Sequence, residues 1–225
     1  CIYCQNFKFS QEGFGKEITV EGLSEIFLEI QNNKKAVNLD LITATAYLPF
    51  IYDALIIAIE KGFRLPIVWN TSSYESVETL KLLDGVVDIY LADIRYTSNA
   101  IGKKYSGVKD YWTVCEQAIF EMYRQIGNDF ILDNENILKR GIILRILVLP
   151  SNIQQAIQAL KFIKYDLSDR IAVSLMDQYV PVNHTKNFPE MDRFLKKSEY
   201  EAVVDVMQEL ELINGWVQEH KLIDD

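Results

Sequence analysis

No apolar run in this sequence approaches the ~20 residues of a membrane-spanning helix. The longest candidates, residues 54–59 and 142–149, are of a length suited to a buried core. Cysteine is scarce: three in 225 residues exclude a disulfide-dense secreted scaffold. Positive charge is also short. Lys and Arg number 23 against 32 Asp and Glu, a net charge of −9. Binding to nucleic acid or an anionic membrane needs a basic face, so neither is expected as a partner. There is no internal repeat or low-complexity segment, and no signal peptide is expected. The chain opens on Cys1 rather than on a methionine, which suggests a preceding segment. A reducing cytoplasm is the expected compartment.

What is present is the balance of a folded domain, 49% hydrophobic and 24% charged. Short β-rich runs alternate with helical patterns. Strands are expected at residues 37–43, 66–70, 86–92, 142–149 and 171–176. Helices are expected at 47–61, from an N-cap at Ser73 to Leu83 with Glu75 and Glu78 in its first turns, at 111–126, from Pro150–Ser151 to 164, and at 199–212. Pro49 suits a helix start and Gly62 a helix end. Residues 180–197 read as a long loop. Repeated strand–helix units predict a parallel sheet covered by helices in a single domain, residues 1–225. Periodicity alone leaves an open sheet and a barrel equally available. Either fold puts its chemistry at the C-terminal ends of the strands. The polar residues there are Thr43, Thr45, Asn70, Thr71, Asp93, Arg95, Asp177 and Gln178, with Arg145 inside a strand.

Cys1-Ile2-Tyr3-Cys4 offers two soft thiolates from one tight loop. That suits zinc, an iron–sulfur cluster or dithiol redox work, or no chemistry at all. Cys115 lies in a helical pattern and reads as a buried thiol. His184 reads as a solvent-exposed loop residue, and His220 as inert. Trp69, Trp112 and Trp216 read as core or interface packing. The bland reading of Asn70 and Asp93 is turn formation, and that of Arg145 a structural ion pair.

Cys1-Ile2-Tyr3-Cys4-Gln5-Asn6 with Ser10 resembles the cluster loop of radical S-adenosylmethionine (SAM) enzymes, whose signature is Cys-x3-Cys-x-aromatic-Cys. Cys1 and Cys4 match its second and third cysteines and Tyr3 its aromatic. The first cysteine would lie four residues before Cys1. The Cys4-x-Asn6 spacing is similar to that of the glycyl-radical-enzyme activases. Residues 87–96 resemble the family's strand ending in Asp-x-Lys, with Arg95 at the lysine. Residues 144–150 resemble the strand bearing a SAM-contacting arginine, here Arg145. Residues 70–75 and 176–181 are similar to segments of homologues of pyruvate formate-lyase activating enzyme.

The resemblance implies a partial (β/α)6 TIM-like barrel that lacks its first strand here, making residues 1–225 one radical SAM domain incomplete at its N-terminus. It implies a [4Fe–4S] cluster with Cys1 and Cys4 among its ligands, and SAM as the molecule cleaved to a 5′-deoxyadenosyl radical. Tyr3 would pack near the adenine. Asn6, Asn70 and Asp93 suit the amino, ribose and methionyl groups, Arg145 the carboxylate, and Arg95 a related charge. Gln178 follows the last strand. Thr43 and Thr45 stand where many activases carry Gly-Gly-Glu-Pro, and their hydroxyls would accept the ammonium hydrogens. The implied partners are a glycyl radical enzyme or a small-molecule substrate, and an electron donor such as flavodoxin or ferredoxin. The alternative is a barrel that keeps an iron–sulfur or zinc site for redox or binding.

Overall fold

The computed structural model describes residues 1–219; His220, read as inert, lies outside them. Among these described residues seven strands form one sheet: β1 (Leu39–Ile42), β2 (Ile67–Thr71), β3 (Ile89–Asp93), β4 (Phe130–Leu132), β5 (Leu138–Leu147), β6 (Ala172–Met176) and β7 (Gly215–Val217). The order is β1-β2-β3-β5-β6-β7, every neighbouring pair parallel. β4 pairs antiparallel with the start of β5. The sheet is open among the described residues, with β1 and β7 at its edges.

Among the described residues eight α-helices accompany the sheet: α1 (Phe7–Ser10), α2 (Val20–Asn32), α3 (Leu48–Glu60), α4 (Val77–Leu82), α5 (Asn99–Ser106), α6 (Tyr111–Ile126), α7 (Ile153–Phe162) and α8 (Lys197–Glu209). The α/β class and parallel sheet follow the sequence pattern. All five residues of β2 are buried, as a central parallel strand requires. Pro49 sits in the first turn of α3, where its missing N–H leaves no bond unmade.

Several boundaries differ, each for a local reason. The helix expected to begin at Ser73 begins at Val77, because Ser76 caps it by accepting the Thr79 N–H at 3.1 Å. Ser73 instead sits at a positive φ of 60°. β5 starts at Leu138, ahead of its apolar stretch, because β4 pairs with residues 138–141. α2, β4 and β7 were not legible. Only Ser24 and Phe27 of α2 are buried, and β4 and β7 have three exposed residues each. Trp69 is core and the half-buried Trp112 packs edge-on to Phe162, but Trp216 is half exposed. Residues 180–197 hold one short 3-10 turn, yet they pack firmly: Tyr179 donates to the Met191 carbonyl at 2.6 Å, and Met191 and Leu195 are buried.

Candidate functional site

The parallel register sets the site. Asp93, last residue of β3, stands opposite Arg145 of β5, and Ile42 of β1 opposite Asn70 of β2. Side chains at strand ends are thereby stacked laterally across the sheet. Arg145 donates from Nε to Asp93 Oδ1 at 2.6 Å and from Nη2 to Asn70 Oδ1 at 2.7 Å. Asn70 Nδ2 donates to Asp40 Oδ2 at 3.3 Å. Asp93 Oδ2 accepts from Arg95 Nη2 at 3.3 Å. Arg95 Nη1 in turn donates to Cys1 Sγ at 3.0 Å. One hydrogen-bonded row therefore runs from Asp40 on β1 to the CxxC loop.

The loop itself closes as a tight turn, the Cys4 N–H reaching the Cys1 carbonyl at 3.2 Å. It is anchored on both sides at Ile2. The Ile2 N–H donates to the Tyr105 carbonyl at 2.9 Å, and the Ile2 carbonyl accepts the His184 N–H at 2.8 Å. Cys1 Sγ lies 2.9 Å from Ser106 Oγ, which also meets Tyr96 Oη at 2.9 Å. Cys4 Sγ lies 3.4 Å from Ser10 Oγ.

Electrostatics favour charge in this row. Burial works against the Arg95 guanidinium, but Asp93 beside it raises its pKa above the ordinary value. The Arg95 main-chain N–H is held by Tyr111 Oη at 3.0 Å, and burial pushes the Tyr111 phenol well up. Arg145 commits two N–H groups to Asp93 and Asn70, fewer than the five its guanidinium carries. It is both a structural ion pair and a group with capacity for an anionic ligand.

Not every expected residue joins the row. Tyr3 is buried against Tyr96 and Tyr179, its ring 6.5 and 5.7 Å from theirs. Its face is enclosed by protein, so the surface expected for adenine packing is not presented. Asn6 is exposed, and its side chain makes no capping bond to α1. Gln178 is exposed; its side chain turns back to Met176 Sδ at 2.8 Å while its carbonyl accepts from Gln5 Nε2 at 2.8 Å. Thr43 meets the row through its backbone, its N–H donating to the Asn70 carbonyl at 2.8 Å. Thr45 gives its hydroxyl hydrogen to Glu75.

Asp40, Glu75 and Ser106 are the participants that sequence reasoning missed. Asp40 interrupts an apolar strand, which was the available signal. A groove of about 780 Å³ between the Phe9–Phe14 loop, α2 and α3 is lined by none of the row's residues.

Cys115 is fully buried on α6, and burial pushes its thiol up to about 12. It is no ligand. Among the described residues no group of three or more His, Cys, Asp or Glu is arranged to hold a metal ion. Cys1 and Cys4 alone do not complete a three-cysteine cluster site. No helix is long and apolar enough to cross a membrane among the described residues.

No protein-family model matches the chain. Over 220 residues, 94% of its length, the chain is 29% identical to an uncharacterised protein of Methanocaldococcus jannaschii, and it spans 60% of that protein's length.

Proposed function

We propose that this chain carries the SAM-binding sheet of a radical SAM enzyme resembling the glycyl-radical-enzyme activases. One observation supports the reading above the others: the hydrogen-bonded row joining Cys1 through Arg95 and Asp93 to Arg145 and Asn70. It brings a thiolate pair beside charged and polar groups at the C-terminal strand ends, where an open α/β sheet holds its ligands.

In this reading the fold is a partial (β/α)6 barrel whose further strand pairs with the open edge of β1 and brings the third thiolate. A [4Fe–4S] cluster would supply the electron that cleaves SAM. This chain's own residues place the ligand. Arg145 offers a planar fork to a carboxylate, and Asp93, pinned by two arginines, is held as an acceptor. Asn70 presents an amide already oriented by Asp40 and Arg145. Arg95 donates to Cys1 Sγ and favours its thiolate form. The hydrogen donor is a protein glycine or a small molecule, with flavodoxin or ferredoxin as the electron source, in a reducing cytoplasm.

A second reading draws on the Arg95–Cys1 contact alone, since a stabilised thiolate also serves a zinc site or a redox dithiol. Anaerobic reconstitution of the full-length protein with iron and sulfide separates the two. A brown [4Fe–4S] species whose spectrum changes with SAM, and which releases 5′-deoxyadenosine with dithionite, supports the first. Colourless protein with stoichiometric zinc refutes it.

A further inference from the structure

We infer that Glu75 is a positioning residue: its buried carboxylate fixes the loop between β1 and α3 and makes Thr45 an acceptor for the cationic end of a ligand. The ligand's identity rests on the SAM reading; the ordering of the loop does not.

Glu75 looked like a helix-dipole residue in the first turn of α4. The helix instead begins two residues later, at Val77, and Glu75 turns inward, only 4% exposed. Its Oε1 accepts from Thr45 Oγ1 at 2.7 Å, Thr71 Oγ1 at 2.7 Å and Trp69 Nε1 at 3.2 Å. Its Oε2 lies 2.8 Å from the same Thr45 hydroxyl. Among the described residues it forms no ion pair with Lys, Arg or His. A carboxylate buried among neutral donors is costly, and an apolar side chain would fill the space with less penalty. The donors it gathers belong to β2 and to the β1–α3 loop, and Glu75 itself lies in the loop after β2, so its effect is to tie the ends of β1 and β2 together.

The tied loop needs restraint. Thr43 holds φ at 52°, a region uncommon for a β-branched residue. Two points pin it: the Thr43 N–H on the Asn70 carbonyl at 2.8 Å, and Thr45 on Glu75. Asn70 also carries the Arg145 contact, so loop and row share a residue. A hydroxyl has one hydrogen. With that hydrogen on Glu75, the Thr45 oxygen has only lone pairs left to offer, polarised by the carboxylate. That is the character an ammonium group needs from its partner.

The test uses the full-length protein with Glu75→Gln, Thr45→Val and Thr45→Ser, amide hydrogen exchange, and SAM titrated by calorimetry. Thr45→Val is isosteric but cannot donate; Thr45→Ser keeps the hydroxyl. Thr45→Val and Glu75→Gln are each expected to speed exchange at residues 43–47 and weaken SAM about tenfold, the size of one lost hydrogen bond. Thr45→Ser should restore both to within about twofold, and the double variant should be no worse than either single. Wild-type behaviour of Thr45→Val, or exchange rising equally in β5 and α6, overturns the inference. If the wild type binds no SAM while the local exchange pattern holds, the cofactor reading falls and the loop role stands.

Discussion

Replacing Arg145 with methionine removes a fork but keeps an unbranched stem of similar reach. Arg145 holds Asp93 at 2.6 Å and Asn70 at 2.7 Å, with side-chain exposures of 23% for Arg145 and 16% for Asp93. Removing one partner of a fully buried pair costs about 3–5 kcal/mol. An exposed pair contributes only about 0.2–1 kcal/mol. This pair lies between those limits, and Asp93 retains Arg95 at 3.3 Å as a second counter-charge. The expected loss is therefore about 2 kcal/mol, a fall of about 4–8 °C in Tm for a domain of this size. Urea unfolding should show a lower midpoint at unchanged slope. Arg145→Lys should recover less than half, because one ammonium cannot hold both an aspartate and an amide at that geometry. A loss below about 0.5 kcal/mol for Arg145→Met would refute the row as a cohesive element of the unliganded fold.

Two further outcomes follow from buried or paired groups. In the native protein at pH 8, Cys115 should resist iodoacetamide and react only on denaturation, because burial holds its thiol up to about 12; labelling at the rate of Cys4 would contradict its placement in the core. Burial alone would raise the Glu199 carboxyl, but Arg193 at 2.7 Å and the Ser151 and Lys196 N–H groups bring it down to about 2. A depressed carboxyl gives stability that is present above its ordinary 4.5 and is lost as pH falls toward 2. Glu199→Gln should flatten the stability–pH curve in that window by about 1–2 kcal/mol, after discounting for partial exposure. An unchanged acid limb would locate the titration elsewhere.

The C-terminal ends of the parallel strands made much of the row legible. Once residues 66–70, 86–92 and 142–149 read as parallel strands, Asn70 and Asp93 fell at or beside strand C-termini and Arg145 within its strand; the strand order and register that set Asp93 opposite Arg145 are seen only in the structure. Resemblance singled out Cys1 and Cys4, but the link from Cys1 through Arg95 to Asp93 is seen only in the structure. Glu75 was misplaced because residues 72–76 hold three serines, and sequence cannot tell which one caps the following helix. A helix start displaced from Ser73 to Ser76 turned a supposed dipole residue into a buried tie. Tyr3 was misjudged for a different reason. Aromatic character is legible, but the slot formed by Tyr96 and Tyr179 draws on residues some 90 and 170 positions away. α2, β4 and β7 gave little signal because they bury so little of themselves.

The clasp at Ile2 ties three distant stretches of chain into a single knuckle. Tyr105 at the end of α5, the first residues and His184 share a two-rung ladder with Ile2 as its middle strand. Tyr3 fills the aromatic slot directly behind it. The segment around His184 has little regular structure of its own and borrows its shape from this ladder and from the Met191 contact of Tyr179. The loop that carries the thiol pair is thereby fastened to a span that ends at α8. The first four residues act as a splint for the loop that precedes α8.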